Sequence, residues 1–421
     1  MQITFLGGCQ AVGGSGIFVS AGETQILADY GIYMNRQNEP RFPLPPPEEV
    51  DFAFMTHAHL DHSGAFPQLY SNSDEFPLYL TSPTYDFVNL LYDDMLKLEK
   101  FPFGKEEKRK TLKNSVPVNY GQQISLNHDC KITFLNAGHI PGSYSLLIEA
   151  EGKRLLYTSD FNTTRTQLLE GANFDNLKLD ALILESTYAL ETHPNRAATE
   201  KLFIKTVQET FDNGGIVLVP AFAVARSQEI LCLLYKNYRN YPITLDGMAR
   251  DASKVISQYP EFVRDYELIL KTLSSCRWVK GDSDRVKAVF SQGIIVSPAG
   301  MMKGGPVDHY MRILADEPDN AILLVSFQIP GTPGRTLLDT GQYFMDGKMS
   351  KVNAQVKSFN FSSHSDRPQL FHTIESLKNN SEATVFLVHG EKKVCTTFRD
   401  DVEEAFKLET FCPKNGEAFV I

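Results

Sequence analysis

Four potential metal ligands fall within six residues in the run His57-Ala58-His59-Leu60-Asp61-His62, directly behind the apolar segment Asp51-Phe52-Ala53-Phe54-Met55. That segment reads as a strand, so the run begins where the chain leaves a sheet. Residues two apart on an extended chain point to one side. His57 and His59 therefore share a side, and Asp61-His62 lies on the turn into a helix. Neutral imidazoles with one carboxylate are a ligand set that zinc accepts in sites that keep a coordination position open.

Further donors stand at equivalent places, each at a strand's end. His139 follows the apolar stretch 131–135, Asp160 follows 155–157, and His389 closes Phe386-Leu387-Val388-His389-Gly390. Singly, each is an ordinary polar residue at a strand terminus. Together with the run they supply donors enough for two metals. Asp29, ending the strand 26–28, is placed to accept an imidazole N–H from behind the ligands.

Residues 1 to about 188 alternate short β-branched or aromatic runs with glycine turns, at 2–6, 16–20, 24–29, 52–56, 131–135, 145–149, 155–158 and 181–184. Strands so closely spaced predict a layered, sheet-rich domain. From about 190 the pattern becomes strand–helix alternation: a helix over 197–213, a strand at 216–219, a helix from about 225, and strands at 243–245, 293–296 and 321–325. Short strands return at 354–359 and 384–388, before a closing helix near 396–408. The pattern predicts a first domain over 1–190, an inserted α/β domain over 191–350, and resumption of the first over 351–421.

The 421 residues carry 51 acidic and 41 basic side chains, a net charge of −10. That balance argues against non-specific nucleic-acid binding, which rests on clustered Lys and Arg. Bound divalent metals and a local basic groove can nevertheless supply positive charge where it matters. Cys9, Cys130, Cys232, Cys276, Cys395 and Cys412 form no C-x-x-C pair and read as buried free thiols of a cytoplasmic protein. No secretory signal, membrane-length apolar run or appended RNA-binding module is evident, so the reading is of a cytoplasmic chain with no membrane partner.

On these motifs the chain resembles the metallo-β-lactamase superfamily and its β-CASP branch. Asp29, the His57/His59/Asp61/His62 run, His139 and Asp160 fall on four successive motifs of the superfamily. Glu185 in Leu184-Glu185-Ser186-Thr187-Tyr188, His364 in Ser363-His364-Ser365-Asp366, and His389 match the three β-CASP motifs. The resemblance covers essentially the whole chain and is nearest to archaeal and bacterial ribonucleases of the cleavage-and-polyadenylation-factor type, with RNase J further off. It implies an α/β fold, a four-layer αββα sandwich carrying an inserted α/β β-CASP domain.

It also implies a zinc-dependent nuclease acting on single-stranded RNA, with two Zn²⁺ per chain and a homodimeric state. His57, His59 and His139 would hold one zinc and Asp61, His62 and His389 the other, with Asp160 bridging and Asp29 behind. Asp61, Glu185 and His364 form the expected catalytic group. His364 is the general acid for the leaving oxygen, and Glu185 orients it. Arg226, Ser297, Lys303 and Arg335 are the expected phosphate contacts, the Lys303-Gly304-Gly305 turn offering backbone N–H groups as an anion nest. The chain departs from its relatives twice: Ala225 stands where glycine usually precedes the helix-start arginine, and Gly13-Gly14-Ser15 stands where Gly-Arg-Ser is usual. The competing readings are a DNA nuclease of the same family, an inactive scaffold subunit of an RNA-processing complex, and a small-molecule hydrolase of the same fold.

Overall fold

The computed structural model describes residues 1–35, 39–72, 75–98, 100–238, 241–378 and 383–421. The chain divides into two compact units: one formed by 1–165, 170–192 and 363–421, the other by 166–169 and 193–362.

The first unit is built on two seven-stranded sheets. One runs in the order Ala418–Val420, Gln2–Gly7, Gly16–Ala21, Thr24–Tyr30, Phe52–Phe54, Leu78–Thr81, Ser115–Val118. The other runs Thr410–Phe411, Thr384–Val388, Ala181–Glu185, Lys153–Tyr157, Tyr144–Ala150, Cys130–Asn136, Gln123–Ser125. Alternate residues of the two, among them Ile3, Phe5, Ile17, Val19, Phe134, Leu146 and Phe386, form one apolar core between them, as the period of two requires when each sheet buries one face. The outer face of the second sheet buries Leu156, Leu182, Leu184 and Leu387 against Leu370 and Ile374 of helix Arg367–Lys378 and Phe398 and Val402 of helix Lys392–Phe406. Helices Ser82–Met95 and Lys105–Lys113 belong to the first sheet's side, completing the αββα layering. Lys105–Lys113 exposes Lys105, Glu106, Arg109 and Lys113 and buries Lys108 and Thr111. The tail supplies strands to both sheets.

The second unit holds a six-stranded parallel sheet in the order Arg277–Trp278, Ile243–Leu245, Ile294–Ser297, Val217–Pro220, Ala321–Leu324, Gln355–Ser358. One face packs Leu218, Ile295, Ile322 and Leu324 against Tyr310, Met311, Leu314 and Leu337 of its helices. The strand expected near 354–359 thus pairs with Ala321–Leu324 in this sheet. Its edge position had no local signature, because pairing partners are a tertiary property.

Candidate metal centre and active site

Every ligand candidate of the first unit lies at or just beyond the carboxyl end of a strand, where α/β sheets place their sites. Asp29 lies within Thr24–Tyr30, His57 follows Phe52–Phe54, His139 follows Cys130–Asn136, and Asp160 follows Lys153–Tyr157. Glu185 ends Ala181–Glu185, and His389 follows Thr384–Val388. Three residues of this rim, Asp29, Ser159 and His389, have φ of 56°, 51° and 53°, a left-handed backbone that costs a non-glycine residue energy and tends to collect at functional sites.

Ligand atoms converge in three groups that share Asp160, the third being Asp160, Glu185 and His364. In the first two, His57, His59, His139 and Asp160 offer atoms all within 4.8 Å of one another, as do Asp61, His62, Asp160 and His389. Asp160 divides its oxygens between these two. Its Oδ2 lies 3.7 Å from Nε2 of both His57 and His139, while Oδ1 lies 3.2 Å from His62 Nε2 and 3.4 Å from His389 Nδ1. Asp61 Oδ2 lies 3.4 Å from His389 Nε2. All but His59, Asp61 and His364 of these groups are buried.

The donor set fits divalent metal. Burial, reinforced by the neighbouring imidazoles His62 and His139, holds the His57 pKa well below its usual range. Burial likewise lowers His59 and His139, so three imidazoles are neutral and have a lone pair to give. His57 Nε2 is buried and makes no hydrogen bond, a costly arrangement for a polar atom that a cation would relieve. Burial pulls His62 down too, but the carboxylates of Asp160 and Asp29 outweigh it and hold the pKa well above the ordinary value.

Asp29 anchors the rim from beneath. Its fully buried carboxylate takes hydrogen bonds from Thr56 N and Oγ1 (both 2.8 Å), Tyr157 OH (2.9 Å) and His62 Nδ1 (2.7 Å). Thr56 and Tyr157 carry no motif signal of their own; Thr56 reaches Asp29 from just past the neighbouring strand of the same sheet and Tyr157 from the facing sheet. Gly13 and Gly14 take positive φ of 93° and 67°. A Cβ on Gly14 would meet Tyr33 Cβ at 3.2 Å, so this backbone suits glycine at the position where the resemblance led arginine to be expected.

Beside the first two groups stands His364. Its Nδ1 faces Glu185 Oε1 at 3.0 Å and Oε2 at 3.1 Å, and its Nε2 lies 3.9 Å from Asp160 Oδ2. Burial alone would lower this imidazole, but Glu185 and then Asp160 outweigh it and raise its pKa to about 9. Glu185 is itself buried and receives Phe161 N–H (3.2 Å) and Thr187 Oγ1–H (2.6 Å). Ser363 O accepts His139 Nδ1–H at 2.8 Å, which leaves the His139 lone pair on Nε2.

In the second unit Arg226, Lys303 and Arg335 stand at helix starts or on a turn, whereas Ser297 is buried and does not present the expected phosphate contact. Arg226 opens helix Arg226–Asn237. Lys303 is exposed on the turn before Pro306–Leu314, and Arg335 is exposed near the start of Pro333–Thr340, where it pairs with Asp339 at 2.8 Å. Ser297 ends its strand fully buried, its hydroxyl donating to Pro298 O at 2.9 Å. Ala225 has φ 66° and ψ −56°, and Arg226 N–H bonds Val224 O at 2.9 Å. This is the rarer, strained γ-turn.

Residues 18–187 match the metallo-beta-lactamase superfamily domain, 227–337 the Beta-Casp domain, and 349–413 the Zn-dependent metallo-hydrolase RNA specificity domain. The chain is 36% identical to RNase aCSPSF2 of Saccharolobus solfataricus over 99% of its own length and 84% of the relative's. It is 34% identical to the probable RNase MJ4 of Methanocaldococcus jannaschii over 99% of each. Transcription termination factor FttA of the same organism is 33% identical, over 99% of this chain and 71% of that one. A crystal structure of a protein of unknown function from Enterococcus faecalis V583 shares the fold with a TM-score of 0.64 at 14% identity, covering 100% of this chain and 99% of that one. Among the described residues no helix is long and apolar enough to cross a membrane. A rim of imidazoles around a divided carboxylate, on two packed sheets, and relatives aligned from end to end lead to one assignment: the chain belongs to the β-CASP branch of the metallo-β-lactamase family and is a metal-dependent hydrolase of the nuclease class.

Proposed function

We propose that this chain is a zinc-dependent ribonuclease that hydrolyses phosphodiester bonds of single-stranded RNA. His57, His59 and His139 would hold one Zn²⁺ and Asp61, His62 and His389 the other, with Asp160 shared between the two groups. When bound, such a pair supplies Lewis acidity for a water and for a non-bridging phosphate oxygen. The protein supplies the proton. His364 Nε2 points at the cluster while Glu185 holds Nδ1, so His364 gives its Nε2 proton to the departing ribose oxygen and Glu185 stabilises the charged imidazole until then. That aimed, carboxylate-backed imidazole beside the ligand groups is the observation that carries the reading. A small-molecule hydrolase of the same fold has no evident need of it.

RNA is preferred to DNA because two relatives bear RNase names and one matched domain is described as an RNA specificity domain. Arg226, Lys303 and Arg335 serve as phosphate contacts on the second unit, and the working form is a homodimer in the cytoplasm. The test is cleavage of end-labelled single-stranded RNA and DNA by protein of measured zinc content and measured solution mass. Zinc-dependent RNA cleavage supports the proposal; zinc-loaded protein that leaves every RNA intact favours the scaffold reading, and DNA cleavage alone favours the DNA nuclease.

A further inference from the structure

Strands Ala181–Glu185 and Thr384–Val388 are parallel neighbours, with Glu185 opposite Val388. The residues just past their ends therefore meet, and Ser186 Oγ–H caps Val388 O at 2.7 Å. One residue further, the Thr187 hydroxyl lies between two groups with different tasks. It is 2.6 Å from Glu185 Oε2, 3.1 Å from His389 Nδ1 and 3.1 Å from His389 O.

A threonine hydroxyl has one proton and two lone pairs. The short contact to an ionised carboxylate is charge-assisted and takes the proton in preference to the longer one to a neutral carbonyl. The oxygen's lone pairs then face His389, whose Nδ1 must be the donor. In the neutral ring that leaves the lone pair of His389 on Nε2, in place of the longer hydrogen bond that an Nε2–H would give Asp61 Oδ2 at 3.4 Å. Asp160 Oδ1 also faces His389 Nδ1, at the longer distance of 3.4 Å. Glu185 gains a donor on Oε2 while Oε1 takes Phe161 N–H, which fixes the carboxylate plane against His364.

We propose that Thr187 is a positioning residue whose single hydroxyl ties the Glu185–His364 proton-donating pair to the metal cluster, fixing the carboxylate on one side and the ligating tautomer of His389 on the other. The proposal rests on the metal and proton roles given under Proposed function. A hydrogen-bond partner behind a ligating imidazole typically accounts for about 10–100-fold in metal affinity or activity.

The test compares Thr187→Val, which keeps the shape and removes the hydroxyl, with Thr187→Ser, which restores it. Imidazole ¹⁵N–¹H spectra of the metal-free, full-length, histidine-labelled protein, with the His389 signals identified by their loss in His389→Gln, read the tautomer directly. Wild type and Thr187→Ser should show Nδ1–H, and Thr187→Val a mixture. Zinc titration against a competing chelator should show about 10–100-fold weaker binding of one ion in Thr187→Val, with wild-type affinity in Thr187→Ser. The third reading compares RNA with bis(p-nitrophenyl) phosphate, whose p-nitrophenolate departs without a proton. The RNA-to-ester ratio of kcat should fall about tenfold in Thr187→Val, with KM unchanged. Wild-type tautomer and zinc affinity in Thr187→Val overturn the metal half of the proposal, and an unchanged ratio overturns the proton half. If the wild type itself neither binds zinc nor cuts RNA, the ribonuclease reading fails, while the tautomer spectra still decide the role of Thr187.

Discussion

Glu185 holds His364 by Nδ1 at 3.0 Å, and that contact turns the opposite ring nitrogen towards Asp160, 3.9 Å from its Oδ2. The proton donor is thereby separated from the ligand groups yet aimed at the space they enclose. Acid and metal contributions can accordingly be removed one at a time.

His364→Ala should retain the zinc content of the wild type and lose at least ~10²-fold in RNA turnover, the usual size of a general-acid contribution. Metal analysis beside single-turnover cleavage reads both quantities. Full RNA turnover in this variant removes His364 from the mechanism.

Asp160→Ala strips one carboxylate from both metal-ligand groups at once, so zinc content and cleavage should fall together. Chelation of the wild type should do the same, and should lower its Tm as well, because metal that binds only the folded chain stabilises it. A variant still holding two ions would show that the carboxylate does not join them.

Asp246 offers a pH-dependent test away from the centre. Burial pushes its carboxyl up, but hydrogen bonds from Arg285 (2.7 and 3.1 Å) and Tyr310 OH (2.9 Å) outweigh burial and hold the pKa below the ordinary carboxylate range. A carboxyl lowered in the folded state adds stability that is present above its unfolded value and is lost as pH falls through the folded one. Asp246→Asn should therefore cost roughly 2–4 kcal/mol at pH 7, discounted for the partly exposed Arg285, and progressively less below pH 4. Urea midpoints at the two pH values test this; an equal deficit at both would rule out the ionic origin.

Ala225→Gly should stabilise the chain by about 1 kcal/mol, since the γ-turn at φ 66° strains any residue with a Cβ. Denaturant unfolding measures it. A loss of stability would mean that packing of the buried Ala225 methyl outweighs the strain.

Much of the rim was legible before any coordinates. The His57–His62 run, Asp29, His139, Asp160, Glu185 and His389 each stand at a strand end that apolar alternation reveals. His364 has no such frame; its serine-rich loop shows no periodicity, and only the family motif singled it out. Thr187 was visible within Glu185-Ser186-Thr187-Tyr188 but not as a contact of His389, because the two are 202 residues apart and meet only through the register of two parallel strands. Thr56 met Asp29 likewise through the register of parallel strands, and Tyr157 met it through the packing of the two sheets.

The sequence alone determined the kind of chemistry: four donors in six residues after a strand, with more at other strand ends, demand a metal and an edge on which to gather it. Period-two burial and turn residues are local properties, so the strands, the ligand types and the change to strand–helix alternation could be read along the chain. Which donors converge, how Asp160 divides its oxygens, and which hydroxyl stands between Glu185 and His389 were decided by tertiary structure. Those relationships depend on strand order, on register and on a backbone held in left-handed conformations, and all three are settled by packing between segments far apart in the chain.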